Sequence, residues 1–91
     1  MKKSMRLLLM LVLPLAAHAD LTGTWQGNDG GTYYLRQTGE QLHWYGEQSV
    51  SEPRWANVFH GSIRGDRISG DWLDVPKGRT LGEGKLTLVV R

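Results

Sequence analysis

The side chains able to do chemistry in this sequence fall into three groups. The first is His60 with Asp71, a histidine and a carboxylate on successive alternating runs, the pieces of a general base and its orienting partner. Ser62 and Ser69 lie on the same runs. Pairing those runs puts His60 opposite Asp71 on the outer face, where such a pair is ordinarily a surface contact. Nothing nearby resembles a nucleophile elbow or supplies an oxyanion donor, so no catalytic residue is assigned. The second group is His43, His60 and Asp71 as metal ligands. It would need two separated hairpins to converge, and no ligand spacing supports it, so neither a metal nor a cofactor is expected. The third group is Asn57 and Asp74, two polar residues on the face that is otherwise apolar. Trp55, Tyr33, Asn28 and Lys77 lie near the same connections. This group offers hydrogen-bonding atoms and flat ring surfaces, which is the chemistry of binding. Arg64-Gly65-Asp66 spells an integrin-type tripeptide, but a tight hairpin turn requires glycine there in any case.

The elements that must position these residues are strands. Beyond residue 19 there is no helical period. Glycines recur at short intervals and apolar residues alternate with polar ones, the pattern of short strands joined by turns. Six strands are expected at about 21–28, 31–38, 41–48, 55–64, 67–75 and 84–91. Gly65-Asp66 reads as a two-residue II′ turn with glycine at the φ > 0 position. That turn pairs Ile63 with Ile68, Phe59 with Trp72 and Asn57 with Asp74 on one face, and His60 with Asp71 and Val58 with Leu73 on the other. Gly39-Glu40 makes a second two-residue turn, pairing Leu35 with Trp44 inward, and Tyr34 with Tyr45 and Arg36 with His43 outward. The turn around Asn28-Asp29-Gly30-Gly31 leaves its register open between two- and three-residue loops. The expected core is Trp25, Tyr33, Leu35, Leu42, Trp44, Phe59, Ile63, Ile68, Trp72, Leu86, Leu88 and Val90. The fold class is all-β, an antiparallel meander of six strands. With one apolar face it should curl into a small barrel, the alternative being a two-layer sandwich. A transmembrane barrel does not fit: its interior would be polar, and it needs at least eight strands.

Leu21-Thr22-Gly23-Thr24-Trp25 followed by Asn28-Asp29-Gly30-Gly31-Thr32-Tyr33 resembles the first hairpin of the avidin family. More loosely it resembles the Gly-x-Trp first strand of lipocalins and related calycin barrels. The resemblance covers about fifteen residues. It implies a barrel plugged by the tryptophan at one end, with ligand entering at the other. It does not imply biotin, because the later avidin contacts have no counterpart here.

Connections in a meander alternate between its two ends. The tight turns at 39–40 and 65–66 share one end. The longer, more polar connections at 28–31, 49–54 and 76–83 share the other, and loops on a rigid scaffold are where binding residues gather. The expected site is therefore an open mouth at that end, holding a small molecule or carbohydrate. Asn57 and Asp74 would present donors and acceptors, Trp55 and Tyr33 would stack on a ring, and Asn28 and Lys77 would form the rim. Asp74 should reach solvent there or meet Lys77, Arg79 or Arg54, since a buried unpaired carboxylate is costly. The alternative is an interaction module, such as a periplasmic hydrolase inhibitor, acting through a loop. Ala56, Val58, Leu73 and Val75 form an apolar group on the outer face, an expected homodimer surface unless another element covers it.

The N-terminus is a separate element. Met1-Lys2-Lys3-Ser4-Met5-Arg6 is basic, residues 7–16 are apolar, and Ala17-His18-Ala19 is an A-x-A cleavage site, the three parts of a secretory signal. The apolar run falls short of the ~20 residues of a membrane span. Residues 1–19 are thus expected to be a signal peptide, helical over about 5–17, and 20–91 the single mature domain, periplasmic or secreted, with no membrane association after cleavage. The chain has no cysteine, which excludes a lipidated N-terminal cysteine and any disulfide. Of 11 basic and 9 acidic residues in the chain, Lys2, Lys3 and Arg6 lie in the leader, leaving 8 against 9 in the mature part. The basic balance belongs to the leader, and no nucleic-acid partner is implied.

Overall fold

The computed structural model describes residues 20–90. The expected signal peptide and its helix lie outside the described residues. One antiparallel sheet holds β1 (Gly23–Gln26), β2 (Thr32–Thr38), β3 (Gln41–Glu47), β4 (Ala56–Arg64), β5 (Arg67–Asp74) and β6 (Glu83–Val89) in chain order. No helix occurs among the described residues, so none there is long and apolar enough to cross a membrane.

The turn chemistry fixes the register. Thr38 opposes Gln41 and Arg64 opposes Arg67, so each turn has two residues. Gly39 and Gly65 carry φ of 62° and 61°, the glycine-favoured value a II′ turn needs at its first central position. All the sequence-based pairings across these two hairpins are present. The first hairpin closes by Gly27 N–H on the Gly31 carbonyl at 2.9 Å and Gly30 N–H on the Gly27 carbonyl at 3.1 Å. It is a three-residue loop, and Gly30 (φ 87°) is the glycine such a loop requires.

The inner face carries the core: Tyr33 and Leu35 from β2, Leu42 and Trp44 from β3, Phe59 from β4, Ile68 from β5 and Leu88 from β6. Trp25, Ile63, Trp72, Leu86 and Val90 pack against it, partly buried. Leu21, which precedes β1, is also in the core. Its N–H donates to Gln37 Oε1 (3.0 Å), and its carbonyl accepts from Trp25 Nε1 (2.8 Å). Glycines let the sheet coil around these rings. Gly46 lies under the Tyr33 ring, and a Cβ there would fall 2.5 Å from it. Gly61 and Gly70 oppose each other across β4 and β5, a paired bend in the middle of the sheet.

Coiling stops short of closure. The order β1 to β6 has two free edges, so the expected barrel is not formed, and neither is the two-layer sandwich. The reason lies in the edge strands. β1 is four residues long and reaches only half of β2. Gly23, at φ 147°, turns the chain away, and the Thr22 hydroxyl accepts the Gln37 N–H in place of a further strand bond (2.9 Å). β1 is thus too short to offer β6 a matching ladder.

The outer apolar group is likewise altered. Ala56 is fully buried and Val75 half-buried, with the Val75 N–H on the Ala56 carbonyl at 2.8 Å. Of the four residues expected to form a homodimer face, Val58 and Leu73 alone are exposed. The turn that follows β5 folds back over that end of β4.

Candidate functional site

The three long connections converge on Trp55, just ahead of β4. Asp29 organises the first. Its Oδ1 accepts the Gly31 N–H (2.9 Å) and its Oδ2 the Tyr33 hydroxyl (2.8 Å). This places Gly31 directly on the Trp55 ring, where a Cβ would fall 2.5 Å from it. From the other side Gly78 lies on the Trp55 backbone, again with no room for a Cβ. The Arg54 carbonyl accepts Arg79 N–H at 2.8 Å, and Gln48 N–H donates to the Trp55 carbonyl at 3.0 Å. Trp55 is therefore roofed by glycines from two loops and pinned by the third.

Below the roof the rings stack inward. Tyr33 sits 5.8 Å from Trp55 and edge-on to Trp44 at 5.3 Å, and Trp44 stacks on Phe59 at 4.3 Å. Trp44 Nε1 donates to Asn57 Oδ1 (2.9 Å). Asn57 Nδ2 has no hydrogen-bond partner among the described residues, and the side chain is wholly buried. Leaving such an amide unpaired costs about 1–3 kcal/mol. Burial pushes the Tyr33 hydroxyl far above the ordinary tyrosine range, and the neighbouring Asp29 charge adds to that shift.

Asp74 opposes Asn57 in the sheet and is buried. Its Oδ2 accepts the Thr80 hydroxyl and the Gly82 N–H, both at 2.9 Å. The carboxylate thus shapes the 76–83 connection. Lys77, one of its expected partners, goes elsewhere: its Nζ lies 2.6 Å from Glu47 Oε1, which also accepts the Tyr45 hydroxyl at 3.0 Å. The Lys77 hydrogen bond holds the Glu47 carboxyl below its usual value, and Glu47 raises Lys77 in turn. Asn28 is exposed on its turn.

The six expected site residues thus separate. Tyr33, Trp55, Asn57 and Asp74 are brought together but enclosed, Tyr33 and Asn57 at 0 % exposure. Asn28 and Lys77 stay on the surface. The alternation that marked Tyr33 and Asn57 as inward is the reason they are covered: the loops close over that end of the coil. Asp29 and Glu47 were missed. Asp29 before Gly30-Gly31 is readable as turn chemistry, whereas nothing in the pattern says that Glu47, at an outward position, is buried. The exposed surface of this end is mostly polar, with Asn28, Ser51, Glu52, Arg54, Lys77 and Arg79 on it, and two large apolar side chains stand among them. Val50 and Leu81, on the 49–54 and 76–83 connections, are each 73 % exposed. Val50 stands on a braced backbone: Ser49 Oγ donates to the Ser51 carbonyl (2.7 Å), Arg54 N–H donates to Gln48 Oε1 (3.0 Å), and Pro53 is buried. Glu52 in the same loop holds φ of 50°, an uncommon value for a non-glycine residue.

On the outer face, register aligns Arg36, His43, His60, Asp71 and Lys85 in one row across five strands. The two hairpins do converge here, and the rings of His43 and His60 stack at 4.6 Å. His60 Nε2 pairs with Gln41 Oε1 (2.8 Å), and Asp71 Oδ1 with Lys85 Nζ (2.7 Å), so the side chains form no histidine–aspartate dyad. No group of three metal-ligating side chains forms among the described residues. An open depression of about 390 Å³ borders this row, lined by His43, His60, Asp71, Val58 and Leu73 together with Trp44, Phe59 and Trp72. Nothing among the described residues indicates an enzyme.

Comparison with family models, curated proteins and solved structures finds no match for the chain. The likeness to calycin barrels therefore rests on the first hairpin alone.

Proposed function

We propose that this chain is an exported binding module, released by cleavage after Ala19, that makes its contact through the rim of the loop end, with a protein as its partner. This is the interaction-module alternative of the sequence reading, preferred here over a ligand-filled mouth. One observation carries the choice. The end that should be open is filled by Trp55, Tyr33 and Asn57, while the two most exposed large apolar side chains, Val50 and Leu81, stand on its loops. Apolar tips on braced loops are suited to a partner's surface pocket, because little ordering entropy remains to be lost on binding. Asn28 is exposed on the third connection of the same end.

A photo-crosslinking residue at Val50, compared with one at Arg64 on the opposite end, tests this in the producing cell. A discrete adduct from position 50 and none from 64 is the expected result. Equal labelling from both ends, or none from either, removes the reading. Export is tested separately by mass spectrometry of the protein outside the cytoplasm: its N-terminus should be Asp20, and an intact Met1 would refute cleavage.

A second reading, a small molecule or sugar held beneath the loops, is favoured by Asn57 Nδ2, a buried donor with no partner among the described residues. It requires the loops to lift off Trp55. Titration with a glycan and metabolite panel should then perturb the Asn57 side-chain amide signals first.

A further inference from the structure

The free edge of β6 is built for strand pairing, and the geometry points to a second copy of this chain as the strand that occupies it. This is independent of what the loop end binds. Two backbone bonds just beyond the β5–β6 ladder set which groups are free. Asp74 N–H donates to the Gly82 carbonyl and Val90 N–H to the Asp66 carbonyl, each at 2.8 Å. In an antiparallel pair the residues bonded to one neighbour alternate with those that face the other side. The even-numbered residues of β6 therefore bond to β5. Lys85, Thr87 and Val89 point their N–H and C=O groups at the open edge, with no β1 beside them.

Free edges are normally blunted by shortness, proline, a bulge, an inward charge or charged side chains along the strand. β1 is short and turned away at Gly23. Of these devices β6 has only charges, Glu83 and Lys85, and both lie in its first three residues. It is seven residues long, contains no proline, and pairs with β5 without a bulge from Glu83 to Val89. Lys85 is paired with Asp71, and the last four residues, Leu86-Thr87-Leu88-Val89, are uncharged and rich in strand formers.

The sequence of β6 is complementary to itself. An antiparallel pairing centred on Thr87 sets Thr87 against Thr87 of the second copy as a doubly bonded pair, Lys85 against Val89, and Leu86 against Leu88 on the inner face. The odd residues, whose groups are free, are the ones that meet. Centring one residue earlier would leave Leu88 facing Gly84, with no side chain to pack. The occupant favoured by register is thus the same strand, joining two coiled sheets edge to edge. This replaces Ala56, Val58, Leu73 and Val75 as the dimer surface.

Thr87 is exposed, so its replacement leaves the core intact. Sedimentation of the purified protein from ~1 to ~200 µM, a range that brackets micromolar pairing, should show a monomer–dimer equilibrium. Thr87→Lys and Thr87→Glu each set like charges opposite one another across the two-fold and should weaken dimerisation at least ~10-fold. Mixing the two variants should restore it as a heterodimer. A wild type that stays monomeric throughout, or variants that dimerise singly as well as the wild type, would overturn the proposal. If either variant fails to fold, amide exchange in the wild type decides. The N–H groups of Lys85, Thr87 and Val89 should slow at least ~10-fold between the dilute and concentrated ends, and no change there would also overturn it.

Discussion

Gly70→Ala is the most informative single substitution in the sheet. Gly70 opposes Gly61, and a Cβ on Gly70 would overlap the His60 carbonyl and the Gly61 Cα, all backbone of the neighbouring strand. No rotamer change relieves such a contact, so β4 and β5 must separate at the bend. Overpacking costs typically 1–3 kcal/mol and more where backbone must move, so about 3 kcal/mol or above is expected here. A domain of this size has roughly 4–10 kcal/mol of total stability. With each kcal/mol worth about 4–8 °C in a small domain, Tm should fall by ~12 °C at the least. The control is Gly84→Ala, whose Cβ meets only the Trp72 ring, at 3.0 Å or more. It should cost under ~1.5 kcal/mol. Thermal unfolding followed by circular dichroism and tryptophan fluorescence measures both. A Gly70→Ala protein melting within ~4 °C of wild type would show that the sheet does not depend on this bend, and the account of its coiling would be wrong.

Asp74→Ala should destabilise the protein by ~2 kcal/mol, through the lost bonds to Thr80 and Gly82, and accelerate amide exchange at Gly82; unchanged exchange there would contradict the loop-holding role. Tyr33 should make the fold alkali-sensitive. Its folded-state value lies above that of the unfolded chain, so its contribution is intact below pH ~10 and lost above it at up to about 1.4 kcal/mol per pH unit. Tyr33→Phe should therefore flatten the alkaline limb of a stability–pH curve, and an unchanged slope counts against burial of that hydroxyl. Lys77→Met should move the Glu47 titration, followed by carboxyl carbon shifts, up towards the ordinary glutamate value. The wild-type ion pair should lend its support above that value and lose it as the pH falls through the depressed one.

Most of the sheet could be read from the residues. The glycines at 39 and 65 fix two hairpins to the residue, because a two-residue turn permits one register and the apolar faces agree with it. The core was readable for the same reason, and each expected member lies in it or packs against it. Leu21, the first residue of the expected first strand, was left out of the expected core; β1 starts only at Gly23, and Leu21 is held in the core by its backbone bonds to Gln37 and Trp25. The register of β3 against β4 was not readable, although the meander pairs them: the 49–54 connection is too long for turn rules, so the His43–His60 stack came only with the structure. Closure was not readable either, since it depends on how far β1 runs, and Gly23 ends it early. At the loop end the sequence grouped Tyr33, Trp55, Asn57 and Asp74, which do lie together, but misjudged their exposure. Asn57 and Tyr33 follow the period of the strands, but the glycines that seat two loops on Trp55 and the carboxylates of Asp29 and Asp74 that hold them obey no period.

Pairing strictly in chain order has a consequence for how the molecule comes into being. Every strand partner is the neighbour in sequence, so each step of assembly closes a short loop and none must wait for a distant segment. The sheet can be laid down strand by strand from its N-terminal edge as the polypeptide is supplied, with every intermediate a shorter version of the product. What each intermediate lacks is a finished last edge, and the growing sheet passes that unsatisfied ladder forward from β2 to β6. The completed chain still carries it. Crowding before synthesis is complete would thus put at risk whichever strand is outermost at that moment, and in molecules stalled after β5 that is the strand carrying Ile68 and Trp72, without β6 beside it.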